Sequence, residues 1–159
     1  RHYDTALFRE RIEHIKRVMP NAFIGVDCMV GVRGETEAIW EEYKRYVESL
    51  PVSQLHVFTY SERANTKMLT MDLEVVPMAV RHKRSEELHK ISEQKLQAFY
   101  NEHKGQTATV LWEAKKYAPH STLAGTAHTP QMSGFTENYI KVSCPYDKAK
   151  VNTFETITI

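Results

Sequence analysis

Thiol clusters are missing from this chain. Its two cysteines, Cys28 and Cys144, stand far apart, with no Cys-x-x-Cys pair and no three-cysteine motif. The 159 residues therefore cannot hold an iron–sulfur cluster or a structural zinc through thiolates. Isolated cysteines suit a reducing, cytoplasmic setting, each buried as a small apolar side chain. Long apolar runs are also missing. Nothing approaches a membrane helix in length and no charged-then-apolar leader opens the chain, so no membrane partner is expected. Charge of one sign is absent as well. The 21 basic and 20 acidic side chains nearly cancel, so any nucleic-acid affinity must come from a local patch. The eight histidines bring no carboxylate pattern with them. His82 and His89, seven residues apart, read as a solvated helix surface rather than a metal site.

What is present starts at residues 22–32, an almost unbroken apolar run. It reads as one strand covered on both faces, as in a parallel α/β sheet. The run passes straight into Gly31-Val32-Arg33-Gly34-Glu35-Thr36 and then a helix. Glycines at 31 and 34 allow a sharp turn and a close backbone approach to a ligand. In this fold class ligands bind at that end of the strands. The junction is no P-loop, since no Gly-Lys-Ser/Thr follows, and no dinucleotide fingerprint, since the third glycine is missing. On spacing alone it is either a structural turn or a small-molecule site.

Around it the chain organises clearly. Residues 4–19 predict an amphipathic helix with Phe8, Ile12, Ile15 and Met19 on one stripe, ended by Pro20. A second helix over 36–49 carries Ile39, Tyr43, Val47 and Leu50, with Thr36 as N-cap and Glu35 at the start that favours negative charge. Leu50-Pro51 stops it, and a strand over 54–60 follows. That order is a right-handed α/β crossover. After a polar loop over 61–70, Pro77 opens a long helix over 78–103. It turns Leu88, Ile91, Leu96 and Phe99 inward and its charges outward, and Gly105 stops it. From Thr107 the pattern becomes short alternating segments (107–113, 123–127, 139–144, 153–159), that of a small antiparallel β-domain or barrel. An α/β piece with two clear strands cannot cover its own edges, so it reads as part of something larger.

Two strings then carry a resemblance: Ile24 through Thr36, and Leu55-His56-Val57-Phe58-Thr59-Tyr60-Ser61-Glu62-Arg63-Ala64-Asn65-Thr66. Arg84-Ser85, Phe99-Tyr100, the run Gly134 through Tyr139, and Arg1 with Tyr3 fit the same pattern. Together they resemble the radical S-adenosylmethionine methylthiotransferases of tRNA, and most closely the branch acting on threonylcarbamoyladenosine beside the anticodon. The resemblance runs along the whole chain. It implies the last part of a partial α/β barrel (1–76), a linking helix (77–104) and a TRAM-like β-domain (105–159), the last lacking its final strand. The family's first domain and its Cys-x3-Cys-x2-Cys loop for a [4Fe–4S] cluster are not in this sequence.

The resemblance also implies sites. The family's Gly-x-Ile-x-Gly-x-x-Glu strand end, which lines the adenosine half of S-adenosylmethionine, matches Asp27 through Glu35, with Asp27 in the first glycine's place and one extra residue before Glu35. Val30 and Gly31 are then the leading ligand contacts and Gly34 shapes the turn, while Glu35 either caps the helix or touches ligand. Arg33 stands where the family commonly has proline, and faces a methionyl carboxylate, an RNA phosphate or only water. Asp27, the one charge inside the strand, points into the barrel lumen or pairs with a helix. His56, Phe58 and Tyr60 share a strand face, either as barrel core or as an aromatic wall beside adenine. RNA contact falls to Arg63 at the rim and to Lys104, Phe135, Asn138, Tyr139 and Lys141, with the rings placed to stack on splayed bases of a tRNA anticodon stem-loop. Competing readings are a non-catalytic TRAM-type RNA-binding module and an inactive α/β fragment. An open barrel edge predicts non-native dimers through strand pairing.

Overall fold

The computed structural model describes residues 3–117 and 130–159. Two compact units result, Arg1–Phe99 and Tyr100–Ile159. The strand expected over 123–127 and the Arg1 of the resemblance lie outside the described residues.

In the first unit, α1 (Thr5–Val18) begins where Asp4 accepts a hydrogen bond from the Leu7 amide, and β1 (Gly25–Val30) follows. The helix α2 (Glu37–Ser49) is capped by Thr36, whose hydroxyl accepts from the Ile39 amide. Then come β2 (Gln54–Thr59), a single helical turn α3 (Lys67–Thr70) and the long α4 (Met78–His103). The strands pair in parallel, Val26 beside Leu55 and Cys28 beside Val57, as a crossover through a helix requires.

All three long helices pack on one face of that two-stranded sheet. Ile12, Cys28, Val30, Trp40, Val47, Leu55, Leu88 and Ile91 form the core. Burying each of the larger aliphatic side chains contributes roughly 1.5–3 kcal/mol. This corrects three expectations. The strand is six residues long and covered on one face only, because every helix lies on the same side. The α2 stripe runs through Trp40 rather than Ile39, which is 52% exposed. In α1, Ile12 is buried but Ile15 and Met19 are exposed, so the stripe serves the core through its first half.

The outer edge of β2 has its own closure. Ser92 of α4 donates through Oγ to the Leu55 carbonyl (2.8 Å) and accepts from the Leu55 amide (2.9 Å). Both backbone groups point away from β1, where they would otherwise be left unpaired.

The second unit is an antiparallel sheet of β3 (Thr107–Tyr117), β4 (Gln131–Thr136), β5 (Lys141–Pro145) and β6 (Phe154–Thr158), in the order β5-β4-β3-β6. Gly105, at φ +82°, turns the chain out of α4 as expected. Val110, Trp112 and Met132 form the core, with Val142, Cys144 and Ile157 against it. Gly134 sits where a Cβ would stand 2.5 Å from Val110 and 2.6 Å from the Leu111 carbonyl oxygen. Two expectations change here. Residues 131–136 form a strand that alternation did not reveal, and Tyr139 lies in the turn before β5 rather than inside a strand.

Candidate functional site

The helix-free face of β1 and β2 carries Gly25, Asp27 and Met29 beside Gln54, His56 and Phe58, each pair in register. Met29 is 53% and Phe58 51% exposed, and Asp27 and His56 are exposed beside them. Two large apolar side chains and a carboxylate thus share a sheet face that parallel architectures normally cover. Asp27 points to this open side and is exposed there.

The strand ends are held from behind by two arginines of α4, one helical turn apart. Arg81 is 3% exposed and donates through Nε to the Val76 carbonyl (2.8 Å) and through Nη1 to the Tyr60 carbonyl (3.0 Å). Its guanidinium lies 5.3 Å from the centre of the Tyr60 ring. Gly31, at φ +76°, exists for this side chain: a Cβ there would stand 2.4 Å from Arg81 Cγ. Arg84 donates to the Glu35 carbonyl (2.9 Å), to Glu35 Oε1 (2.7 Å) and to Glu37 Oε2 (2.8 Å), with its guanidinium over Trp40. The Glu35 carboxylate in turn accepts from the Gly31 amide through both oxygens, at 3.0 and 3.1 Å. A buried carboxylate is tolerated here because one guanidinium and one backbone amide satisfy it.

Glu35 is therefore a brace inside the turn and not the helix cap, a role that Thr36 fills. Val30 is fully buried against the helices, so its side chain faces away from the open side. Gly34, at φ +77°, shapes the turn as expected, with its amide donating to the Glu74 carbonyl at 2.8 Å. Arg33 neither faces water alone nor stands free. It grips Glu62 with two hydrogen bonds, 3.0 and 3.1 Å, which ties the turn after β1 to the loop after β2. That contact raises the Arg33 pKa further and keeps the fork charged. Bonding to Arg84 holds Glu37 below the usual carboxylate range. Phe58 stands on the open face, Tyr60 is half-buried beneath Arg81 with its hydroxyl enclosed, and Arg63 is exposed in the following loop.

A groove of about 350 Å³ opens beside the starts of α2 and α4, bordered by Gly34, Thr36, Glu74, Val75, Pro77 and Arg84. Of the residues expected to touch cofactor, only Gly34 and Glu35 border it, so the groove and the open sheet face are separate features. Among the described residues no three His, Cys, Asp or Glu side chains are grouped to share a metal ion. Burial pushes the Cys28 thiol above its ordinary value, the setting of an inert core thiol.

In the second unit, Tyr139 is 67% exposed at φ +65°, its ring 6.1 Å from that of half-buried Phe135. Asn138 Oδ1 accepts from the Thr136 hydroxyl (2.6 Å), which shapes the turn that presents Tyr139. Lys104 and Lys141 are exposed. The residues that sequence reasoning missed are Arg81, Trp40 and Ser92. The two polar ones stand on a helix whose charged and polar positions read as solvated, and Trp40 directly follows an apolar residue that fits the same stripe.

No family model matches the chain. Curated proteins do. The threonylcarbamoyladenosine tRNA methylthiotransferase MtaB of Bacillus subtilis (strain 168) is 27% identical over 142 residues, 89% of this chain and 30% of that protein. A tRNA-2-methylthio-N(6)-dimethylallyladenosine synthase of Clostridium botulinum (strain Hall) is 31% identical over 139 residues, 85% of this chain and 30% of that protein. The synthase of that name from Herpetosiphon aurantiacus is 34% identical over 82 residues, 52% of this chain and 18% of its own length. The chain spans about 30% of the length of the first two relatives. At 27–34% identity, it is a relative of the tRNA methylthiotransferases, matching one portion of their length.

Proposed function

We propose that this chain is the carboxyl-terminal portion of a cytoplasmic radical S-adenosylmethionine methylthiotransferase of tRNA. Residues 1–76 are the last part of its α/β barrel, 77–104 a linking helix and 105–159 a TRAM-like β-domain. The parent enzyme adds a methylthio group at C2 of threonylcarbamoyladenosine beside the anticodon. The supporting observation is the uncovered face of β1 and β2, with Asp27, Met29, His56 and Phe58 side by side, in a chain whose relatives are named as tRNA methylthiotransferases. In parallel barrels ligands bind at the carboxyl ends of the strands, and Met29 and Phe58 stand toward that end of this row. The string from Leu55 to Arg63 favours the threonylcarbamoyl branch, although relatives of both names match the chain.

The open face suits S-adenosylmethionine, the source of the methyl group and of the radical. Phe58 and Met29 offer apolar contact for a purine, and Asp27 an acceptor for its hydroxyl or amino groups. Gly31 and Gly34 form the turn, Glu35 and Arg84 brace it, and Tyr60 forms its rear wall under Arg81. Val30 supports it from the core. The donor set does not fit a [4Fe–4S] cluster: Cys28 faces the helices, and Cys144 belongs to the other unit. Cluster chemistry belongs to cysteines outside this chain, which alone is inactive. The edge of β1 opposite β2 is the side on which non-native dimers form.

Titration calorimetry of the chain with S-adenosylmethionine, then with a tRNA anticodon stem-loop, tests the reading. Binding of both is expected, with Asp27→Asn or Phe58→Ala weakening the first by tenfold or more. Binding of RNA alone favours a TRAM-type binding module. Binding of neither removes the proposal, as does a parent reading frame without an upstream Cys-x3-Cys-x2-Cys.

A further inference from the structure

The segment between α3 and α4 gathers exposed apolar side chains. Leu69, Met71, Leu73, Val75 and Met78, each 37–55% exposed, follow one another closely along the chain. Scattered singly such residues need no explanation, but grouped they mark a contact surface. Asp72 and Glu74 stand between them, both exposed. The Glu74 carbonyl accepts from the Gly34 amide (2.8 Å) and the Val76 carbonyl from Arg81 Nε (2.8 Å), which pins the segment in place. It leads into the groove of about 350 Å³, where Val75, Val76, Pro77 and Val80 supply an apolar wall. The charges of that groove are unbalanced, with Glu35, Glu37 and Glu74 standing against Arg84 alone. Donors are left over as well. Arg84, its side chain 5% exposed, spends both Nη nitrogens on Glu35 and Glu37, while its Nε finds no acceptor among the described residues. The ladder of α4 opens with the Arg81 amide donating to the Pro77 carbonyl (3.0 Å), so the amides of Met78, Ala79 and Val80 precede it. Proline has no side-chain acceptor to cap them, and the first turn holds no acidic residue.

We propose that this groove and the segment leading into it dock an extended peptide of a protein partner that carries lysine or arginine. Each kind of group in the groove asks for a different part of such a chain. Glu37, its side chain 69% exposed, and exposed Glu74 suit the cations. The valines and the proline suit an apolar side chain, and Leu73 and Met71 continue that contact along the segment. The amides that open α4, with Arg84 Nε behind them, suit backbone carbonyls, which are acceptors without charge. The volume lies at the low end of the roughly 300–1,000 Å³ of ligand sites, room for a side chain or two rather than a folded element. Anions fit worse, since a phosphate or carboxylate enters against three carboxylates, and RNA is therefore not the occupant. A bare amine also fits worse, because it leaves the apolar wall and the amides unused.

Fluorescence anisotropy of the whole chain at low salt tests this, with labelled, end-blocked peptides of alternating lysine and valine or of alternating glutamate and valine. The expected result is binding of the lysine peptide alone, weakened about tenfold or more by Glu74→Lys and about threefold by Val75→Ser. Both positions are exposed, so circular dichroism should stay native. In nuclear magnetic resonance spectra the lysine peptide should shift the amides of Gly34, Val75 and Val80. Equal binding of the two peptides, or lysine-peptide binding that neither variant weakens, overturns the proposal. Binding of neither peptide overturns it too. The same amide shifts produced by spermidine assign the groove to a simple amine, and those produced by an anticodon stem-loop assign it to RNA. Either result overturns the peptide site and leaves the tRNA reading standing.

Discussion

The two units use the same pairing chemistry in opposite surroundings. In the first, Arg84 and Glu35 meet at 2.7 Å with both side chains 5% exposed. In the second, Lys150 and Glu155 also meet at 2.7 Å, but their side chains are 35% and 38% exposed. Water screens the second pair, so its energy is small and depends on salt. The first pair lies where a lone charge has no solvent to turn to, so each partner is obligatory once the other is present. The turn after β1 is braced from inside, while the pair in the second unit stays in contact with water on the Val110 side of its sheet.

The largest effect should come from breaking the buried brace on one side. Arg84→Met leaves Glu35 charged, buried and short of its cation, and should cost about 3–5 kcal/mol in urea unfolding. The double change Arg84→Met with Glu35→Leu should recover much of that loss. If the single change costs under 1 kcal/mol, the brace is not what separates the two units. Next comes a packing test of the second unit. Gly134→Ala forces a Cβ against the Leu111 carbonyl and the side chains of Val110 and Trp112, and should cost about 1–3 kcal/mol. Trp112 fluorescence is the readout, and wild-type stability would show that the strand pair has slack.

How far the sequence could be read follows the same division between near and far. Helix ends were legible because their signals are local: Thr36, Pro77 and Gly105 each act within one turn of the boundary they set. The strand over 131–136 was not, because Ser133 and Gly134 interrupt the alternation and because glycine is present for a steric reason supplied by another strand. At the candidate site the glycines were legible as a turn. Their reasons were not, since Arg81 lies 50 positions from Gly31 and Glu62 lies 29 from Arg33. Burial of an arginine is a property of the tertiary environment, and nothing in the local pattern of α4 marks Arg81 and Arg84 apart from Lys83.

The smallest expected effect concerns acid. Hydrogen bonds from Lys150, then from the Trp112 indole, hold Glu155 below its ordinary value of 4.5. A depressed carboxylate stabilises the folded state above that ordinary value, and the stabilisation is lost as pH falls through the lower folded value. Between about pH 5 and 3 the parent chain should therefore lose stability more steeply than Glu155→Gln, most clearly at low salt. Equal slopes would mean that the exposed pair contributes nothing measurable.

The Ser92 hydroxyl has a consequence for how this sheet can grow. A strand arriving at the rim of β2 finds the Leu55 donor and acceptor already engaged, so it must first rotate a serine away from α4. Recruitment of a further strand on that flank is thus gated by a single side-chain torsion, and the flank of β1 is left as the easier route for sheet extension.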